Sequence, residues 1–166
     1  MFTPLKFSPA VPAMPQYKQQ DVTPSHTKLR SRILVIDDGD WVRDIIGIFL
    51  EHAGFEVCGE AADGVEGIEQ AKKLKPDLIV LDFAMPRMNG AEAASVLNTT
   101  MPDVPVVLLT LYQNMVGPSL AAAIGVKAVL DKTEGLDKLV KCVQSLLNSA
   151  RNPDGAVRFF VSRPSR

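Results

Sequence analysis

Five short apolar runs alternate with amphipathic segments between Arg32 and Ser149, and this alternation limits the fold more than any other feature of the chain. The runs are residues 32–36, 56–61, 78–82, 106–110 and 128–131. Ile33-Leu34-Val35-Ile36, Leu78-Ile79-Val80-Leu81 and Val106-Val107-Leu108-Leu109 are apolar without alternation, the pattern of strands buried on both faces of a parallel sheet. The intervening segments follow the helical period. Val42, Ile45, Ile46, Phe49 and Leu50 form a stripe in the first, and Leu136, Leu139, Val140, Val143, Leu146 and Leu147 in the last. Helix starts are also marked: Asp63 and Glu66 stand at capping-box spacing, Asn89-Gly90 precedes the third helix, Pro118 falls in the first turns of the fourth, and Asp40 is the cap candidate for the first. Short loops between such units predict a three-layer, doubly wound α/β fold on a five-stranded parallel sheet with right-handed crossovers.

Four of the runs deliver a polar group at the same end: the first ends in Asp37-Asp38, the third in Asp82, the fourth in Thr110, and the fifth leads to Lys132. In a parallel sheet the ligand crevice lies outside the carboxyl ends of the strands, so three carboxylates, a hydroxyl and an ammonium converge there. Three carboxylates in one crevice repel one another until a proton or a cation relieves them. A hard divalent cation such as Mg²⁺, which takes oxygen ligands and keeps several waters, fits that need. Asp82, at the mouth of a buried strand and just before the turn Phe83-Ala84-Met85-Pro86-Arg87-Met88-Asn89-Gly90, is placed as a nucleophile would be.

Those residues, in that order, resemble the receiver domain of bacterial two-component response regulators, and the resemblance spans residues 31–149. It implies the flavodoxin-like strand order 2-1-3-4-5 and makes Asp82 the phosphoacceptor. By the same resemblance, Asp38 and Asp82 would ligate Mg²⁺ directly, the backbone carbonyl of Ala84 would supply a third ligand, and Asp37 would act through water. Thr110 and Lys132 would bind the phosphoryl group and work the switch. The implied phosphodonor is a sensor histidine kinase or a phosphotransfer protein. Three positions depart from the pattern: Val129 stands where many receivers carry an aromatic switch residue, Leu111 follows Thr110 where a small residue is frequent, and Thr133 replaces a common proline after the lysine.

At 166 residues, 46% hydrophobic and 22% charged, the composition is that of a soluble globular protein with one domain. No stretch approaches the roughly 18 apolar residues of a membrane span. Prolines interrupt the apolar residues near the start, so no secretory signal forms, and a cytoplasmic location is expected. Residues 1–30 carry five prolines and read as a disordered leader, while 150–166 read as a basic tail in which Ala156 to Val161 could form a short strand or stay loose. Charge is divided: residues 31–149 hold ten Lys or Arg against seventeen Asp or Glu, and each end holds four basic residues against one acidic. Cys58 and Cys142 lack metal or redox spacing and read as small core residues, and His26 and His52 are too isolated for a zinc site. Seventeen residues after Ser149 leave no room for a DNA-binding output domain, so the expectation is a stand-alone switch signalling through residues 113–149 to a downstream protein, or to a second copy in a homodimer. Two alternatives stand beside it. One is a receiver-like interaction module that needs no phosphate. The other is a phosphohydrolase of the haloacid-dehalogenase type, which wants a second Asp where Ala84 stands.

Overall fold

The computed structural model describes residues 30–151 and 160–161; the rest of the expected leader and tail lies outside the described residues. β1 (Arg32–Ile36) sits between β2 (Glu56–Ala61) and β3 (Leu78–Asp82), followed by β4 (Val106–Thr110) and β5 (Ala128–Asp131), all parallel. The order 2-1-3-4-5 is therefore as expected. A sixth member extends it: β6 (Phe160–Val161) runs parallel to β5, with Ala128 opposite Phe160 and Val129 opposite Val161. The outer edge of β5 would otherwise present a row of unpaired backbone groups, and β6 pairs with it at Ala128 and Val129.

Successive strand residues point to opposite faces, so uninterrupted apolar runs build two cores at once. Ile33, Val35, Leu78, Val80, Val107, Leu109 and Leu130 pack with Ile46 and Leu50 of α1 (Asp40–His52) and with Leu139, Val143 and Leu147 of α5 (Leu136–Arg151). Leu34, Ile36, Ile79, Leu81, Leu108 and Val129 face the other way. There they meet α2 (Gly64–Leu74), α3 (Gly90–Thr100) and α4 (Pro118–Ala123) through Ile68, Ala71, Ala93, Ala94, Leu97 and Ala121. The result is the expected three layers. Cys142 is buried in the first core, whereas Cys58 is only half-buried against the second.

The helix starts follow local chemistry with two differences. The Asp63 carboxylate accepts the N–H groups of Val65 and Glu66 at 2.9 and 3.1 Å, but Glu66 reaches back to the Ala62 N–H at 3.0 Å instead of the cap's own. Asn89 and Glu92 complete a reciprocal box at 3.0 and 3.1 Å. At α1 the cap position is Gly39, and Asp40 is the first helical residue, its carboxylate turned to Arg43. Asp37 explains the shift, because its side chain already accepts the Gly39 N–H at 3.0 Å and forms the turn one step earlier. Among the described residues no helix is long and apolar enough to cross a membrane.

Candidate functional site

The carboxyl ends of β1 and β3 bring Asp37, Asp38 and Asp82 together, with one carboxylate oxygen of each within 4.8 Å of the others. Asp37 and Asp82 are buried and Asp38 is exposed at the mouth. Lys132, just beyond β5, reaches across: its Nζ lies 2.6 Å from Asp37 Oδ2 and 3.0 Å from Asp82 Oδ1. The other oxygens are also engaged. Asp37 Oδ1 accepts the Gly39 N–H, and Asp82 Oδ2 accepts the Ala84 N–H at 3.2 Å. Among the described residues no hydrogen bond or ion pair engages the Asp38 carboxylate.

Burial pushes the Asp82 carboxyl above its ordinary pKa, and the charge and hydrogen bond of Lys132 only partly offset that rise. At Lys132 burial works against the ammonium, but the hydrogen bond to Asp37 and the charge of Asp82 outweigh it and raise its pKa. Lys132 is thus a fixed cation. Three carboxylates and one ammonium leave a formal charge of −2 in a pocket whose donors are all oxygen, which matches what Mg²⁺ requires.

Thr110 ends β4 fully buried, and its Oγ1 accepts the Tyr112 N–H at 3.0 Å, so the hydroxyl is tied to its own loop. Val129 is buried in the core opposite Leu108, two register steps before Thr110, which pairs with Asp131. Leu111 and Tyr112 are exposed beside the mouth, as is Trp41 in the first turn of α1. The turn after β3 is closed by Gly90, whose N–H donates to the Phe83 carbonyl at 2.8 Å. A Cβ at Gly90 would lie 2.1 Å from the Asp82 carbonyl oxygen, so α3 can dock against the strand end only without a side chain there.

Two arginines surround the site that the sequence did not single out. Arg43 donates through Nη1 to the Asp37 carbonyl at 2.6 Å, and pairs with Asp40 and with Glu60, the latter at 3.2 Å. Arg87 sits in the β3–α3 turn with a left-handed backbone, φ 64°, and its guanidinium pairs with Asp63 at the start of α2. The i,i+3 spacing of Asp40 and Arg43 was a legible signal. Nothing in the sequence marked the pairing of Arg87.

With this geometry in view, the family model for the response regulator receiver domain matches residues 33–144. The chain belongs to that family. Response regulator GacA of Pseudomonas viridiflava is 32% identical over 121 residues, 72% of this chain and 56% of that protein. A protein-glutamate methylesterase/protein-glutamine glutaminase of Pyrococcus abyssi is 42% identical over 85 residues, 51% of this chain and 23% of that one. The chain therefore spans about a quarter to about half the length of these relatives. Among solved structures, a CheY-like receiver domain protein from Methanospirillum hungatei JF-1 superposes with a TM-score of 0.70 at 23% identity, covering 75% of this chain and 98% of that one. Receiver domains are signalling switches that interact with histidine kinases or phosphotransfer proteins and generally bind Mg²⁺ at an acidic pocket, and the acidic pocket is present here.

Proposed function

We propose that this receiver domain takes a phosphoryl group on Asp82 from a histidine of a sensor kinase or phosphotransfer protein, and signals through phosphorylation-dependent protein contacts. The observation that carries the reading is Lys132 Nζ bridging two buried carboxylates at 2.6 and 3.0 Å, which leaves Asp38 facing the mouth. Asp38 and Asp82 would hold Mg²⁺ together with the Ala84 carbonyl, and Asp37, already engaged by Lys132 and Gly39, would contribute through water. When bound, the metal supplies positive charge against the oxygens of the transferring group.

Residues of the chain account for the remaining steps. An Asp82 oxygen attacks phosphorus as the nitrogen–phosphorus bond to the donor histidine breaks, leaving the electron pair on the imidazole. Lys132 neutralises charge on the transferred group while staying close to Asp82. Thr110 exchanges its bond to the Tyr112 N–H for one donated to a phosphate oxygen, which draws the loop after β4 inward. Val129, buried beneath that loop, gives the switch no aromatic to rotate, so the motion falls on the loop itself and leaves by residues 113–149 toward a partner or a second copy. The haloacid-dehalogenase alternative loses ground because exposed Ala84 offers no acid or base.

The test is intact mass spectrometry after incubation with Mg²⁺ and a small phosphodonor. One phosphoryl group is expected on the wild type and none on Asp82→Asn. Equal labelling of the two proteins refutes the nucleophile assignment.

A further inference from the structure

We infer that Arg43 is a positioning residue for the metal site: it fixes the peptide plane between Asp37 and Asp38 and thereby aims the one acidic side chain of the site that no other described residue engages. This rests on the reading of the pocket as a Mg²⁺ site. The end of β1 is gripped from two sides. The Asp37 N–H donates to the Ala61 carbonyl of β2 at 3.1 Å, and the Asp37 carbonyl accepts Arg43 Nη1 at 2.6 Å. A peptide group whose carbonyl is held cannot rotate, and the next residue's Cα, here that of Asp38, is part of that plane.

The guanidinium can hold this line because it is itself held. Its side chain is only 12% exposed, Nε reaches Glu60 on β2 at 3.2 Å, and Nη2 reaches Asp40 in the first turn of α1. One planar fork therefore joins β1, β2 and α1 at the root of the acidic loop. Its choice of partners matters as much as its position. Arg43 binds a backbone carbonyl and two carboxylates outside the pocket, so it adds rigidity without neutralising any of the three clustered carboxylates. The formal −2 charge of the pocket is left for the cation. Lysine at this position would keep the charge and lose the fork, because a single ammonium cannot lie along three directions at these distances.

The test titrates the full chain with MgCl2, reading the fluorescence of Trp41, its single tryptophan, beside a melting curve in chelator. Arg43→Lys is expected to weaken Mg²⁺ binding about tenfold, the scale of residues that orient metal ligands. At saturating Mg²⁺ its rate of labelling by a small phosphodonor should return to within about twofold of wild type, because orientation and not chemistry has been lost. Glu60→Gln leaves Arg43 in place and loosens one anchor. It should weaken Mg²⁺ about threefold and carries the test if Arg43→Lys does not fold. Ile46→Val, a cavity in the same helix, should lower the melting temperature and leave Mg²⁺ affinity unchanged. Wild-type affinity in both Arg43→Lys and Glu60→Gln overturns the inference. So does an equal loss in Ile46→Val, which would reduce Arg43 to general stability. If wild type itself shows no Mg²⁺ response, the reading of the pocket fails and this inference with it.

Discussion

Gly90→Ala probes the junction on which the site depends. The new Cβ would stand 2.1 Å from the Asp82 carbonyl oxygen and 2.8 Å from the Phe83 Cα. Carbon and oxygen approach no closer than about 3.3 Å without strain, so the first turn of α3 must retreat by about 1.2 Å. Gly90 does not have a positive φ, which makes the effect steric and not conformational. Overpacking of this kind costs about 1–3 kcal/mol. Breaking the 2.8 Å bond from the Gly90 N–H to the Phe83 carbonyl adds about 1 kcal/mol. A loss of about 2–4 kcal/mol should lower the melting temperature by about 8–15 °C for a domain of this size. Urea unfolding followed by Trp41 fluorescence and far-ultraviolet dichroism measures it. Gly117→Ala is the control: nothing lies within 4 Å of its Cβ and its φ is −69°, so it should stay within about 0.5 kcal/mol of wild type. Because the retreat acts on the backbone of Asp82, phosphoryl uptake should fall with stability. If Gly90→Ala unfolds at the midpoint of Gly117→Ala, the close approach of α3 to the strand end is not what holds this turn.

Asp82 has a raised pKa in the fold, so it favours folding below about pH 3.8 and that contribution is lost as pH rises through the folded value. Asp82→Asn should therefore be more stable than wild type at pH 7 in chelator, with the gain shrinking toward pH 4; urea midpoints across this range that show no pH trend would refute it. Asp63 is held below its ordinary value, first by its hydrogen bond to Arg87, so its contribution is present above about pH 3.8 and is lost as pH falls through the folded value. Arg87→Gln should raise the pH of acid unfolding, seen by dichroism, and an unchanged acid midpoint removes that pair from the stability of the turn. Beryllofluoride with Mg²⁺ should alter hydrogen exchange in residues 110–149, consistent with a coupling of about 1–3 kcal/mol between site and output face. Changes confined to α1 and α2 would rule out that face.

The strands were readable because parallel strands buried on both faces need uninterrupted apolar runs, and few other structures place Ile33 to Ile36 and Leu78 to Leu81 so near terminal carboxylates. The carboxyl ends of parallel strands share one rim, which is why the sequence order alone groups Asp37, Asp38, Asp82, Thr110 and Lys132. What stayed hidden was pairing at a distance. Arg43 and Glu60 are seventeen residues apart and Arg87 and Asp63 twenty-four, and neither pair leaves a periodic trace. Asp40 has a residue type that suits a cap, yet Gly39 holds the cap position and Asp40 is the first helical residue. Only the competing claim of Asp37 on the Gly39 N–H decides between them. Gly90 was visible as a turn residue, but the carbonyl it makes room for was not.

The parallel direction of β6 also sets where the chain leaves the domain. α5 carries the chain from the rim near Lys132 back toward the amino ends of the strands, and β6 returns it, so the polypeptide departs Val161 heading for the same end of the sheet as Asp82. Had the order closed at β5, the exit would lie at the pole opposite the pocket. Val161 itself is anchored opposite Val129, level through Leu108 with Leu81, the residue before Asp82. A shift of β5 at Ala128 or Val129 would then change that anchorage directly, without passing through the body of the domain.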